Sequence, residues 1–232
     1  MVGVADIRDA LMHLLFPHVC LGCGSDLPEK NMVLCLRCIH DLPETNFENF
    51  SANPVEKIFW GRLNLESAFA RYYFTKGSLV QRLMHHFKYR SELTLGKLLG
   101  RFMGESIQQH TRFPVDALLP LPLYEKRERS RGYNQSLVLC EGMAEITNLP
   151  VIKDAVIRPA FTETQTKKGR VERWKNIEGR FCVVNPSLLE NRHLLLVDDV
   201  VTTGATLESC GAELMKIDGV KLSVGTLCYS FH

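Results

Sequence analysis

The part of this chain best equipped for chemistry is LLLVDDVVTTGAT, Leu194 to Thr206. Four apolar residues read as a buried strand, Asp198 and Asp199 stand at its carboxyl end, and a run of small residues opens a helix. Ligands of parallel α/β sheets bind at that edge, between strand ends and helix starts. Gly204 lets the backbone approach a ligand, and the N–H groups of residues 202 to 206 make a cradle for a phosphate monoester. Thr202, Thr203 and Thr206 add hydroxyl donors. The two acids would repel a phosphate they faced, so they must face something else. Carboxylates accept hydrogen bonds from vicinal hydroxyls or from a metal's waters, and the whole pattern suits a ribose 5-phosphate.

A phosphate site calls for cations to offset its charge, and two segments could supply them. Pro120 to Gln135, PLPLYEKRERSRGYNQ, reads as a basic loop with Lys126, Arg127, Arg129 and Arg131 ahead of Gly132. Thr162 to Phe181 carries Lys167, Lys168, Arg170, Arg173, Lys175 and Arg180 against Glu163, Glu172 and Glu178, and reads as a lid between two strands. A third basic run, Arg71 to Arg101, has seven cations (71, 76, 82, 88, 90, 97 and 101) and one acid, Glu92. It is either a solvated helix face or a surface for anions or nucleic acid.

Cys20, Cys23, Cys35 and Cys38 are spaced C-x2-C-x11-C-x2-C. Each pair can turn two thiolates toward one ion, and four thiolates give the closed tetrahedral set of structural zinc. A thioredoxin-like context for a redox pair is not visible. The remaining cysteines, Cys140, Cys182, Cys210 and Cys228, read as core thiols. His85 and His86 read as surface or packing residues, and Trp60 and Trp174 as packing anchors.

Leu194 to Thr206 resembles the phosphoribosyl pyrophosphate (PRPP) motif of type I phosphoribosyltransferases. The succession PLPL…RxRxRGYNQ, then Arg158, Thr162, Gln165, Arg173, Asn176, Gly179 and Phe181, then VDDVVTTGAT resembles the ComF family over nearly the whole chain, and so do the paired cysteines. The resemblance implies a type I phosphoribosyltransferase-like, mostly parallel sheet flanked by helices, preceded by a small four-cysteine zinc module. It implies that Asp198 and Asp199 meet the ribose hydroxyls. Val200, Val201, Thr202, Thr203, Gly204, Ala205 and Thr206 would hold the 5-phosphate. The backbone after Leu121, with Leu123, Arg127 and Arg131, would take the pyrophosphate, and Arg170 and Arg173 would close over the reactants. Mg²⁺ would enter with the pyrophosphate. A link to competence and DNA uptake comes with the family, and transfer to an acceptor, ligand sensing without turnover, and single-stranded DNA binding all stay open. Pairing of such domains into homodimers is common in that superfamily.

Elements to position these groups are legible around them. Ile7, Leu11, Leu14 and Leu15 predict a short amphipathic helix before the first cysteine pair. Strands are expected over 68–74, 117–121, 151–157, 181–184, 193–197 and 221–227, with helices through Leu79–Phe87, Leu95–Met103, 135–146 and 206–217. Leu42 to Pro54 reads as a polar connector. The division expected is residues 1–58 as the cysteine module with its connector and 59–232 as the α/β domain. Of the 232 residues 45% are hydrophobic and 23% charged, with a net charge of +2, so the chain is neither disordered nor a polycation that coats nucleic acid. No apolar run approaches the roughly 20 residues of a membrane span. A cytoplasmic protein is expected.

Overall fold

The computed structural model describes residues 18–27, 32–90, 92–159 and 181–230, and of Glu125 and Lys126 the backbone alone. The expected opening helix and the lid residues 162–180, with Arg170, Arg173 and Trp174, lie outside the described residues. In chain order the elements are α1 (Leu36–His40), α2 (Pro54–Phe59), β1 (Ser67–Tyr73), α3 (Leu79–Tyr89), α4 (Leu93–Gln108), β2 (Ala117–Pro120), α5 (Glu125–Arg131), α6 (Gln135–Thr147), β3 (Val156–Ile157), β4 (Cys182–Val183), β5 (His193–Val201), α7 (Ala205–Leu214) and β6 (Lys221–Tyr229). Strands β1, β6, β5 and β2 form one sheet in that order, every pair parallel. Strands β3 and β4 make a separate antiparallel pair. The expected architecture, a parallel sheet flanked by helices with a four-cysteine group ahead of it, is the one observed.

Strand β5 explains why the sheet closes around the acids. Leu194 to Val197 are fully buried, as a strand covered on both faces should be. The strand runs four residues past its expected end, because β6 runs on beside it to Tyr229 and keeps pairing it as far as Val201. The acids therefore sit within the ladder, Asp198 level with Thr226, rather than in the loop. Below them the edge is tied by polar bonds: the buried Ser223 hydroxyl lies 2.9 Å from His193 Nε2 and 2.8 Å from Ser67 Oγ.

Helices α4 and α6 cross with backbones in contact. A Cβ on Gly100 would lie 2.3 Å from the Leu139 carbonyl oxygen, and one on Gly142 would lie 2.2 Å from that of Lys97. Only glycine fits at such a crossing. Asn134 caps α6 by accepting from the Ser136 N–H at 3.0 Å.

Three expectations change. The connector 42–54 is built into the core: Leu42 and Phe47 are buried, and the fully buried Asn53 donates to the carbonyls of Phe47, Phe50 and Ala68 while capping α2. Its side-chain amide does the work that apolar periodicity would have advertised. The strand expected over 151–157 shrinks to β3, with Val151 making one bridge to Leu118, because the chain bends at Asp154–Ala155. The basic loop after β2 contains α5, whose charged helix formers end at Gly132 in the left-handed conformation, its N–H bonded to the Glu128 carbonyl.

Candidate phosphoribosyl site and cysteine centre

The two acids occupy unlike surroundings. Asp198 Oδ1 accepts from the Ser136 hydroxyl at 3.1 Å and from the Asp199 N–H at 2.8 Å. Burial, reinforced by the charge of Asp199, pushes the Asp198 carboxyl up to about 7, against the opposing pull of those two bonds and of Lys88. Asp199 turns the other way, its Oδ2 2.7 Å from Lys88 Nζ of α3. One acid thus rests on hydroxyl and amide donors and the other on an ammonium.

The loop after them is open to ligand and braced from below. Thr202, Thr203, Ala205 and Thr206 are exposed, Val200 is half-buried, and Val201 is buried at the strand's end. Gly204 has φ +73° and leads into α7, whose first turn has no side-chain cap, so its N–H groups face outward. A Cβ on Gly204 would lie 2.7 Å from Ile58 Cγ2 and 2.9 Å from Phe59 Cε1, so the loop lies directly on α2. Arg62 completes the brace. Its Nη1 donates to the Thr203 carbonyl at 2.9 Å and the Ile58 carbonyl at 3.1 Å, and its Nη2 pairs with Glu208 of α7.

The cations expected to meet a pyrophosphate are only partly brought there. Leu123 lines a cavity of about 420 Å³ with Pro120, Pro122, Asn134, Lys153 and Arg158. Arg127 is exposed on α5, while Arg131 donates to Gln135 Oε1 at 2.7 Å and lies over the Tyr89 ring. Arg158, half-buried against the Phe181 ring, faces Asp198 and Arg127 and leaves its Nε buried without a partner. Burial first, then Arg127, lowers its pKa. Arg170 and Arg173 lie outside the described residues.

The basic run 71–101 does not form one surface. Arg71 pairs with Glu44 and Glu48, Lys88 with Asp199, Lys97 with Glu141, and Arg101 with Glu145, while Arg82 donates to the Gly22 carbonyl. These acids lie far along the chain, so local charge counting could not see them. Two smaller readings also change: Cys182 is exposed, unlike Cys140, Cys210 and Cys228, and Trp60 is exposed with Lys57 over its ring.

The four paired cysteines converge. Their sulfurs all lie within 4.8 Å of one another, and Cys23 and Cys35 stand 3.7 Å apart, close to the edge of a tetrahedron with metal–sulfur bonds of about 2.3 Å. The N–H of Cys35 points at Cys20 Sγ, and that of Cys38 at Cys35 Sγ. The Ser25 hydroxyl and N–H pull the Cys23 thiol down to about 6, whereas burial and the other thiols push Cys38 up. Four thiols this close ionise together only around a cation, so the set fits a structural metal. Gly22 is required here, because a Cβ would lie 2.7 Å from Cys38 Sγ.

Sequence reasoning missed Lys88, Ser136 and Arg62 as members of the site, and quoted Arg158 as a motif element without giving it a role. A signal existed for Lys88: Val80 and Met84, at i−8 and i−4, are buried on α3, and a lysine continuing such a stripe needs a buried partner. Arg62 offered none.

No protein-family model matches the chain. It is 30% identical over 147 residues to Competence protein F of Haemophilus influenzae, covering 63% of this chain and 64% of that protein. It is 28% identical over 150 residues to DNA utilization protein YhgH of Escherichia coli, covering 63% and 65%. Competence protein ComFC of Bacillus subtilis is 29% identical over 137 residues, covering 58% and 52%. The chain thus spans less than two thirds of these relatives' lengths. Among solved structures, the glutamine PRPP amidotransferase of B. subtilis superposes with a TM-score of 0.41 at 16% identity, covering 60% of this chain and 30% of that one. The resemblance to the ComF family read from the motifs is matched by relatives bearing competence and DNA-utilization names.

Proposed function

We propose that this chain is a PRPP-binding protein of the ComF type that transfers a phosphoribosyl group, with Mg²⁺, to an acceptor its sequence does not name. One observation carries the reading: an acid pair in unlike settings lies near the carboxyl end of a parallel strand, and the loop after it leads into an uncapped helix N-terminus on a glycine that has no room for a side chain. The outward N–H groups of 205 and 206, with the threonine hydroxyls, take the 5-phosphate. Asp198 and Asp199 take the ribose hydroxyls. The segment Leu121–Tyr124, with Arg127 and Arg158 beside it, holds the pyrophosphate, and Arg170 and Arg173 close over it.

Among the described residues the cysteines form the one cluster of three or more side chains that could hold a metal ion, and Asp199 is already satisfied by Lys88. A Mg²⁺ would therefore be held chiefly by ligand oxygens and water, and would offset charge on the pyrophosphate. In transfer, the bond from C1 to the pyrophosphate oxygen breaks with its electron pair leaving on the pyrophosphate, and an acceptor lone pair forms the new bond to C1 while the acceptor sheds a proton. The chain's part is to orient the ribose and to offset charge on the leaving group. The cysteine centre is assigned to zinc as a structural ion, since it keeps no open position.

The relatives' names speak of competence and DNA utilization, and a second reading gives that link the leading part: a sensor or adaptor that binds PRPP or a nucleotide without turnover and engages single-stranded DNA or uptake-machinery partners. We place the protein in the cytoplasm in either case; no helix among the described residues is long and apolar enough to cross a membrane. Pyrophosphate release from Mg²⁺-PRPP, assayed with bases, amines and nucleic-acid ends as acceptors, separates the two. Acceptor-dependent release that Asp198→Asn abolishes supports transfer. Binding without release from any acceptor class supports the sensor.

A further inference from the structure

Lys88 stands in the sugar site without belonging to any part of its motif. It projects from the C-terminal turn of α3, with 21% of its side chain exposed against 14% for Asp199. Helix α3 is fixed at both ends. The Ser78 side chain accepts from the Gln81 N–H to start it, Arg82 donates to the Gly22 carbonyl of the first cysteine turn at 3.2 Å, and Phe87, fully buried, anchors it one residue before Lys88. The ammonium is therefore delivered by a rigid element and costs little order when it meets the carboxylate.

Among the described residues, the other groups facing the acid pair leave Asp199 with this one cation. Asp198 takes the Ser136 hydroxyl from α6 and faces Arg158 beyond β3, with Arg127 of α5 behind it. Cys210 of α7 lies near Asp198, and Cys228 of β6 near Asp199 and Lys88, both thiols held neutral by burial. Two adjacent carboxyls with no cation between them hold a proton in common.

We propose that Lys88 is a positioning residue of the sugar site, acting through Asp199 to fix that carboxylate as the charged acceptor of the pair and to leave the hydrogen-bond exchange with the ligand to Asp198. This rests on the phosphoribosyl reading above. A ligand diol then meets two different partners, an anion that accepts and a carboxyl that can give or take a proton near neutral pH, which selects a vicinal diol over a single hydroxyl.

Two measurements on Lys88→Met and Lys88→Arg test it. In the ligand-free protein, ¹³C NMR of the aspartate carboxyl carbons should show the pair's titration moving up by about one pH unit in Lys88→Met, a tenfold change in proton affinity, and staying near wild type in Lys88→Arg. In calorimetry with Mg²⁺-PRPP, Lys88→Met should bind about tenfold more weakly at pH 7, with the gap closing by pH 9 as the pair ionises, and Lys88→Arg should recover most of the loss. An unmoved carboxyl titration, or a loss of affinity that is the same at every pH, overturns the proposal. Failure of wild type to bind Mg²⁺-PRPP takes down the phosphoribosyl reading and the sugar-site role with it, while the NMR titration decides independently whether Lys88 governs the acid pair.

Discussion

Alanine placed at Gly204 and, separately, at Gly132 isolates the seating of the phosphate loop on α2. Both glycines hold positive φ, +73° and +81°, so an added Cβ costs each about 1–2 kcal/mol from backbone conformation alone. Around Gly132 a Cβ meets nothing within 4 Å, whereas at Gly204 it meets Ile58 Cγ2 at 2.7 Å and the Phe59 ring at 2.9 and 3.0 Å. Phe59 is itself 1% exposed and has nowhere to retreat, so overpacking adds about 1–3 kcal/mol at Gly204 only. The expected difference between the variants is therefore about 1–3 kcal/mol, or roughly 2–12 °C in Tm for a chain of this size. Urea denaturation followed by far-UV circular dichroism, with the two slopes compared to confirm a common transition, reads it out. Equal losses in the two variants would mean that the loop does not rest on α2 and that the brace by Arg62 has been misread.

Gly100→Ala puts a Cβ 2.3 Å from a backbone oxygen of α6, and should lower the urea midpoint by the equivalent of about 1–3 kcal/mol while leaving ligand affinity per folded molecule unchanged. Because Asp198 is pushed up to about 7 from an ordinary carboxyl value near 3.8, the folded state holds its proton where the unfolded chain has released it. Its contribution to stability is complete below about pH 4 and is lost as pH rises through 7, so Asp198→Asn should gain stability over wild type progressively from pH 5 to 8 in parallel denaturation curves. Native mass spectrometry should find one zinc per chain, and verified removal of the metal should speed amide exchange across residues 18–27 and 32–41 and lower the melting temperature, since both cysteine turns converge on that one site.

The motif-bearing strand and loop, the capped helix at Asn134 and the cysteine centre were all legible because each is a local pattern whose physics is complete within a few residues. The contacts that no local pattern shows are those between residues far apart along the chain. Lys88 and Asp199 are 111 positions apart and Arg62 and Thr203 are 141 apart, and nothing short-range connects them. The connector 42–54 hid for a different reason: its hold on the sheet runs through Asn53, Thr45 and the guanidinium of Arg112, which donates to three of its carbonyls. A search for apolar periodicity passes over polar stitching of that kind. The basic run 71–101 is the opposite case, since its charge is real but much of it is spent on acids from three other segments.

The most direct test of a phosphoribosyl site is calorimetric titration of the zinc-loaded protein with PRPP, with and without Mg²⁺, beside the Asp198→Asn/Asp199→Asn variant. Binding that needs Mg²⁺ and disappears in a variant that keeps its circular dichroism spectrum is the expected result. Absence of heat at millimolar PRPP, or undiminished binding in the variant, would contradict it.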